Sequence, residues 1–171
     1  VSSGGVEGNG YSGEATVSGN GRFVLFSSDA SNLVADDQNQ TGDVFVHDRE
    51  TGAIERVSVP SDEVEGDGGS DEAAISADGR YVVFNSGATN LVPGDINAFA
   101  DVFIRDRVTG ETALVSAASS GDQGNGESGA PSLSADGRFV AFYSAATNLV
   151  VGEADGNGVH DVFVRDRQTG A

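Results

Sequence analysis

The chain has 171 residues, with nine arginines and no lysine against 27 acidic residues, a formal charge of −18. That balance repels polyphosphate and anionic lipid, which argues against nucleic acid or membrane partners and favours divalent cations or basic surfaces. There is no cysteine, which excludes disulfides, thiolate zinc sites and iron–sulfur clusters, and no apolar run reaches membrane-spanning length.

Hydrophobic residues make up 37 % and 25 glycines stand against 3 prolines, a composition suited to an all-β chain with many turns. Val1 in place of methionine points to a processed or truncated start. No basic segment precedes an apolar one, so no signal peptide is expected within this sequence.

In chain order, Val1-Ser2-Ser3 matches the end of a strand that recurs at Val57-Ser58-Val59. Glu7-Gly-Asn9-Gly10 follows, then Gly21-Arg-Phe-Val-Leu-Phe26, Asn32-Leu-Val34, Asp43-Val-Phe45 and Asp48-Arg-Glu-Thr-Gly52. Gly21 returns as Gly79 and Gly137, a spacing of 58 (79 − 21 and 137 − 79). Asp43 returns as Asp101 and Asp161, and the last interval of 60 places two inserted residues near Glu153. Three copies of about 58 residues, approximately 1–56, 57–114 and 115–171, therefore make one repeat domain without a linker.

Within the second copy, four short strands are predicted. The first spans 72–76 and is closed by Asp78-Gly79, which reads as a type I′ hairpin turn. The second, 80–84, is apolar almost throughout and suits a strand covered on both faces. The third, 101–106, ends in the Asp-Arg-x-Thr-Gly turn, and the fourth spans 111–116. No window has helical periodicity.

A sheet apolar on both faces must stack on copies of itself, and radial stacking is the propeller solution. Ser76-Ala-Asp-Gly-Arg-Tyr-Val-Val-Phe84 with Asp101-Val-Phe-Ile-Arg-Asp106 resembles the blade signature of the TolB-like, WD40-like propeller family, PD40. The resemblance covers the chain three times over. It implies antiparallel blades, commonly six to a ring, in bacterial extracytoplasmic proteins, hence a periplasmic or extracellular location. It implies no single activity, because propellers are scaffolds. The expected fold is all-β, three four-stranded blades forming part of a larger ring or a self-assembling stack. An elongated β-stack is the alternative. A remnant of a fourth strand at 1–3, and a third copy ending before its own, suggest head-to-tail self-association, as a six-bladed ring of two chains or a fibre.

The loop before each third strand carries Asp-x-Asn-x-x-x-Asp: Asp37, Asn39 and Asp43, then Asp95, Asn97 and Asp101, then Asp155, Asn157 and Asp161. Alternating oxygen donors on a tight loop converge on a hard cation, and calcium takes carboxylate, amide and carbonyl oxygens alike. The terminal bidentate glutamate of a calcium loop is missing. The competing reading is structural, since Asp and Asn favour turns by bonding their own backbone. A second loop, Glu7-Gly-Asn9-Gly10, Glu65-Gly-Asp67-Gly68 and Gln123-Gly-Asn125-Gly126, offers further donors. Its glycines read chiefly as positive-φ positions, with Ser12, Ser70 and Ser128 as turn caps.

Catalysis finds little support. His47 and His160 occupy different places in their repeats, and no Gly-x-Ser-x-Gly elbow is present. Phe26, Phe84 and Phe142, with Phe45, Phe103 and Phe163, are expected in inter-blade cores. Arg49, Arg107 and Arg167, each after an aspartate, are expected in hairpin ion pairs. The reading is a non-enzymatic, calcium-binding, structural or adhesive module. The alternatives are a TolB-like protein-docking propeller without metal, or the non-catalytic propeller of a secreted enzyme.

Overall fold

The computed structural model describes residues 2–150, 152 and 157–171. Among them are eleven strands. The first blade contains β1 (Ser12–Val17), β2 (Phe23–Ser28), β3 (Asp43–Asp48) and β4 (Ile54–Arg56). The second contains β5 (Ser70–Ile75), β6 (Tyr81–Ser86), β7 (Asp101–Asp106) and β8 (Glu111–Leu114), and the third β9 (Ser128–Leu133), β10 (Phe139–Ser144) and β11 (Asp161–Asp166). Each blade is an antiparallel meander in chain order, four strands in the first two and three in the third. Val1 lies outside the described residues. Ser2 and Ser3 form a turn, in which Ser3 Oγ accepts the Ile54 N–H (2.7 Å).

Strand periodicity explains why the second strand is apolar on both faces. Leu25, Val44, Val46 and Val57 of the first blade pack against Val82, Phe84, Leu91 and Phe103 of the second. Val83, between Val82 and Phe84, points the other way. With Val102, Ile104 and Val115 it meets Val140, Phe142 and Leu149 of the third blade. Phe45, Phe84 and Phe103 are fully buried, while Phe26 is half-buried on the outer side of the first blade and Phe163 is half-buried at the junction of the second and third blades. Within each blade, the paired phenylalanines of the second and third strands stack at 5.7–6.0 Å between centroids.

Four local expectations are corrected. At Asp78-Gly79 only the glycine has positive φ (+79°). The Gly79 N–H donates to the Ser76 carbonyl (3.0 Å), and Asp78 accepts from the Ser76 hydroxyl and the Arg80 N–H. This is a type I turn followed by a left-handed glycine, not type I′. The hairpin ion pair is made by the other arginine of each blade. Arg22, Arg80 and Arg138 grip Asp48, Asp106 and Asp166 side-on, Nε to Oδ1 and Nη2 to Oδ2, at 2.6–3.0 Å. Arg49, Arg107 and Arg167 instead donate to the carbonyls of Gly21, Gly79 and Gly137. Finally, Gly10, Gly68 and Gly126 do not have positive φ; a Cβ at each would lie 2.6–2.9 Å from a neighbouring backbone. Ser12, Ser70 and Ser128 are not turn caps either. Each bonds the serine that ends the second strand, Ser28, Ser86 or Ser144, at 2.8 Å.

Candidate functional site

The acidic loops sit where the third strand begins and the chain crosses to the next blade. Asp43, the first residue of β3, is fully buried. Its Oδ1 accepts the Ser58 hydroxyl (2.6 Å), which ties the start of β3 to the segment after β4. Asn39 turns its amide nitrogen toward Asp43 Oδ2 (3.4 Å) and the Gly66 carbonyl (3.0 Å), while its oxygen accepts the Thr41 N–H (3.0 Å). That last bond closes an Asx turn and leaves Gln40 left-handed (φ 58°).

Into this loop reaches Arg56, a residue outside the predicted ligand set. Its Nη1 lies 2.7 Å from Glu65, 3.2 Å from Asp43 and 3.7 Å from Asp37. The three carboxylates each place an oxygen within 4.8 Å of the others. Burial, reinforced by the charge of Asp43, pushes the Asp37 carboxyl above its ordinary range. Burial likewise raises Asp43, against the opposing pull of Ser58 and Arg56. Glu65 is partly desolvated, yet the Gln38 N–H and the Arg56 guanidinium hold it below its usual range.

The second repeat keeps the loop and changes its filling. Leu114 stands where Arg56 does, and Gln123 where Glu65 does. Gln123 Nε2 bridges Asp95 Oδ1 (2.7 Å) and Asp101 Oδ2 (2.9 Å), while its oxygen accepts the Ile96 N–H (3.1 Å). Asn97 bonds Asp101 Oδ2 (2.9 Å) and the Gly124 carbonyl (2.8 Å), and Ser116 caps Asp101 Oδ1 (2.6 Å). Asp101 is fully buried, and burial raises its carboxyl. Among the described residues, no ion pair reaches Asp95 or Asp101. In the third repeat Asn157 bonds Asp161 Oδ2 (3.0 Å) and caps the Val159 N–H (2.9 Å), while Asp155 lies outside the described residues.

Each loop thus brings together its asparagine and its last aspartate; Arg56 or Gln123 draws in Asp37 or Asp95. The three loops stay in separate blades. Glu65 belongs to the second loop, read from the sequence as a source of further donors, and it does join Asp37 and Asp43. Sequence reading missed Arg56, Ser58 and Ser116. It also missed Asn32, Asn90 and Asn148, which clamp the glycine-rich loops by one donated and one accepted backbone bond, at 2.8–3.0 Å. The signal for these asparagines and serines was their 58-residue recurrence. The signal for Arg56 and Glu65 was the opposite, a change shared by two positions. The histidines remain apart: His47 lies on β3, and the His160 ring meets Tyr143 edge-on at 5.1 Å.

Solved structures share this blade arrangement. The putative TolB from Agrobacterium tumefaciens aligns with a TM-score of 0.56 at 18 % identity, over 91 % of this chain and 45 % of that one. TolB from Acinetobacter baumannii gives 0.55 at 19 %, over 96 % and 31 %. The fold is that of a TolB-like β-propeller. The tricorn protease aligns at 0.56 and 17 % identity, over 94 % of this chain and 14 % of that one. Propeller blades of this kind therefore occur both in TolB and in peptidases. The chain spans less than half the length of each of these proteins. No protein-family model and no curated sequence matches it.

Proposed function

We propose that this propeller segment is a non-enzymatic structural or adhesive module, extracellular or periplasmic, that holds calcium and associates through its end blades. One observation carries the reading. The recurring polar residues are engaged in bonds that repeat from blade to blade, such as Ser58–Asp43 and Ser116–Asp101 (both 2.6 Å), whereas a catalytic centre breaks repeat symmetry. The extracytoplasmic location is supported by the blade signature alone.

Calcium enters at the second repeat. There Leu114 replaces the guanidinium that neutralises the first loop, so buried Asp101 and its neighbour Asp95 have only the Gln123 amide between them. A divalent ion in place of that amide supplies the missing charge, with Asp95 and Asp101 as its carboxylate ligands. In the first repeat the ion competes with Arg56. A ligand that binds only the folded state raises the melting temperature by mass action. Calcium is therefore expected to raise the melt over a chelator control, and Asp95→Ala to remove that increment. An unchanged melt in saturating calcium would leave a metal-free docking propeller as the reading.

A further inference from the structure

The two interior blade junctions share a construction that the outer faces repeat in halves. At each junction, an aromatic ring of the earlier blade lies between two guanidinium groups and against a glycine. Phe23 has Arg22 at 4.9 Å and Arg107 of the next blade at 4.4 Å from its centroid. Tyr81 has Arg80 at 4.8 Å and Arg167 at 4.2 Å. The glycines are Gly79 and Gly137, where a Cβ would fall 2.0 Å and 2.3 Å from the ring.

The third aromatic, Phe139, has only the first half of this seat. Its own Arg138 lies at 4.7 Å, and the residue is 40 % exposed. The first blade has the other half. Nothing lies within 4 Å of a Cβ built on Gly21, and Arg49 donates to the Gly21 carbonyl at 2.7 Å, in the bond that poises Arg107 and Arg167.

The apolar positions below the rim show the same division. Val162 and Val164 are 78 % and 62 % exposed, while their counterparts Val44, Val46, Val102 and Ile104 are buried. On the opposite face, Val17 is 55 % exposed where Ile75 and Leu133 pack into junctions. Beside it runs a groove lined by Ala15, Val24, Phe26 and Leu33. Their repeat partners Ala73, Val82, Phe84 and Leu91 form the first junction.

We infer that the third blade's outer face takes the first blade of a second copy of this chain, head to tail, in the register of the interior junctions. Phe139 of one copy then rests on Gly21 of the other, between Arg138 and the second copy's Arg49. Val162 and Val164 enter the groove of Ala15, Val24, Phe26 and Leu33. The inference rests on the propeller reading above and is independent of calcium.

Sedimentation of the 171-residue chain tests this. The native chain is expected to run as an assembly of two or more copies. Val17→Asp, and separately Val162→Asp with Val164→Asp, change residues exposed in the single chain, so each variant should fold and run as a monomer. Mixed in equal amounts, the two variants retain one intact head and one intact tail and are expected to pair. Arg49→Ala should weaken association by about two- to fivefold, as expected for one exposed cation–π contact. A monomeric native chain, association that survives the end substitutions, or a mixture that stays monomeric would each overturn the inference. Circular dichroism separates these outcomes from loss of the blade fold, which would instead defeat the propeller reading.

Discussion

Gly21 and Gly79 have the same backbone conformation (φ +73° and +79°) and different surroundings. A side chain at either position costs roughly 1–2 kcal/mol for a left-handed φ. At Gly79 it also meets the Phe23 ring at 2.0 Å, whereas Gly21 has open space. Gly79→Ala should therefore cost about 1–3 kcal/mol more than Gly21→Ala, the range for overpacking. Urea unfolding of both variants, at dilutions where the chain is monomeric, measures the difference. Equal losses would show that Phe23 does not rest on that glycine. The turn glycine was legible from Asp-Gly, but its second duty was not, because the ring it receives comes from 56 residues earlier (79 − 23). The same distance problem hid the ion pairs. Arg22 and Asp48 are 26 residues apart, whereas the adjacent Asp48-Arg49 looked like a pair on sequence alone.

At the scale of the strand, the sequence was informative because burial follows its two-residue period. In β6, Val82 and Phe84 face the first blade and Val83 the third, so an unbroken apolar run identified a strand with neighbours on both sides. The strand ends were less legible; residues 115 and 116, predicted as regular strand, lie beyond β8, where both N–H groups share the Val102 carbonyl and the Ser116 side chain caps Asp101. Phe84 packs against Leu25, Val44 and Val46 and stacks on Phe103, so Phe84→Ala should cost about 3–5 kcal/mol, including the cavity it leaves. A loss below about 1 kcal/mol in chemical denaturation would place β6 at a surface and remove the stacking on which the fold depends. The acidic loops were legible as a pattern, not as a mechanism. Asp-x-Asn-x-x-x-Asp recurs, yet the group that fills it changes from Arg56 with Glu65 to Gln123; the exchange stands in the sequence, but that these residues fill the acidic loop appears only once the loops are folded.

Across the whole molecule, the carboxylates fall into two groups whose protonation acts on stability with opposite sign. Asp48, Asp106 and Asp166 are held down by Arg22, Arg80 and Arg138; the Arg80 hydrogen bond brings Asp106 to about 2. Their folded values lie below the ordinary aspartate value of about 3.9, so their contribution is present above that pH and is lost as pH falls toward about 2. These pairs are largely solvated, and water screening keeps their contribution small. Asp37, Asp43 and Asp101 behave in the opposite way, because burial raises them. Their cost to the folded state is greatest at neutral pH and is relieved as they take up protons above the ordinary aspartate value. Acidification also reduces the self-repulsion of a chain carrying −18. In chelator, the melting temperature should therefore rise as pH is lowered from neutrality toward the ordinary aspartate value of about 3.9, then fall below it. High salt screens the long-range repulsion but leaves buried groups largely unaffected. Asp101→Asn in high salt should therefore reduce the initial rise and spare the later fall, while Asp106→Asn should reduce the fall and spare the rise. A melt that declines steadily from pH 7 would mean that the buried aspartates impose no cost, and that the loops are neutralised by charges other than those described.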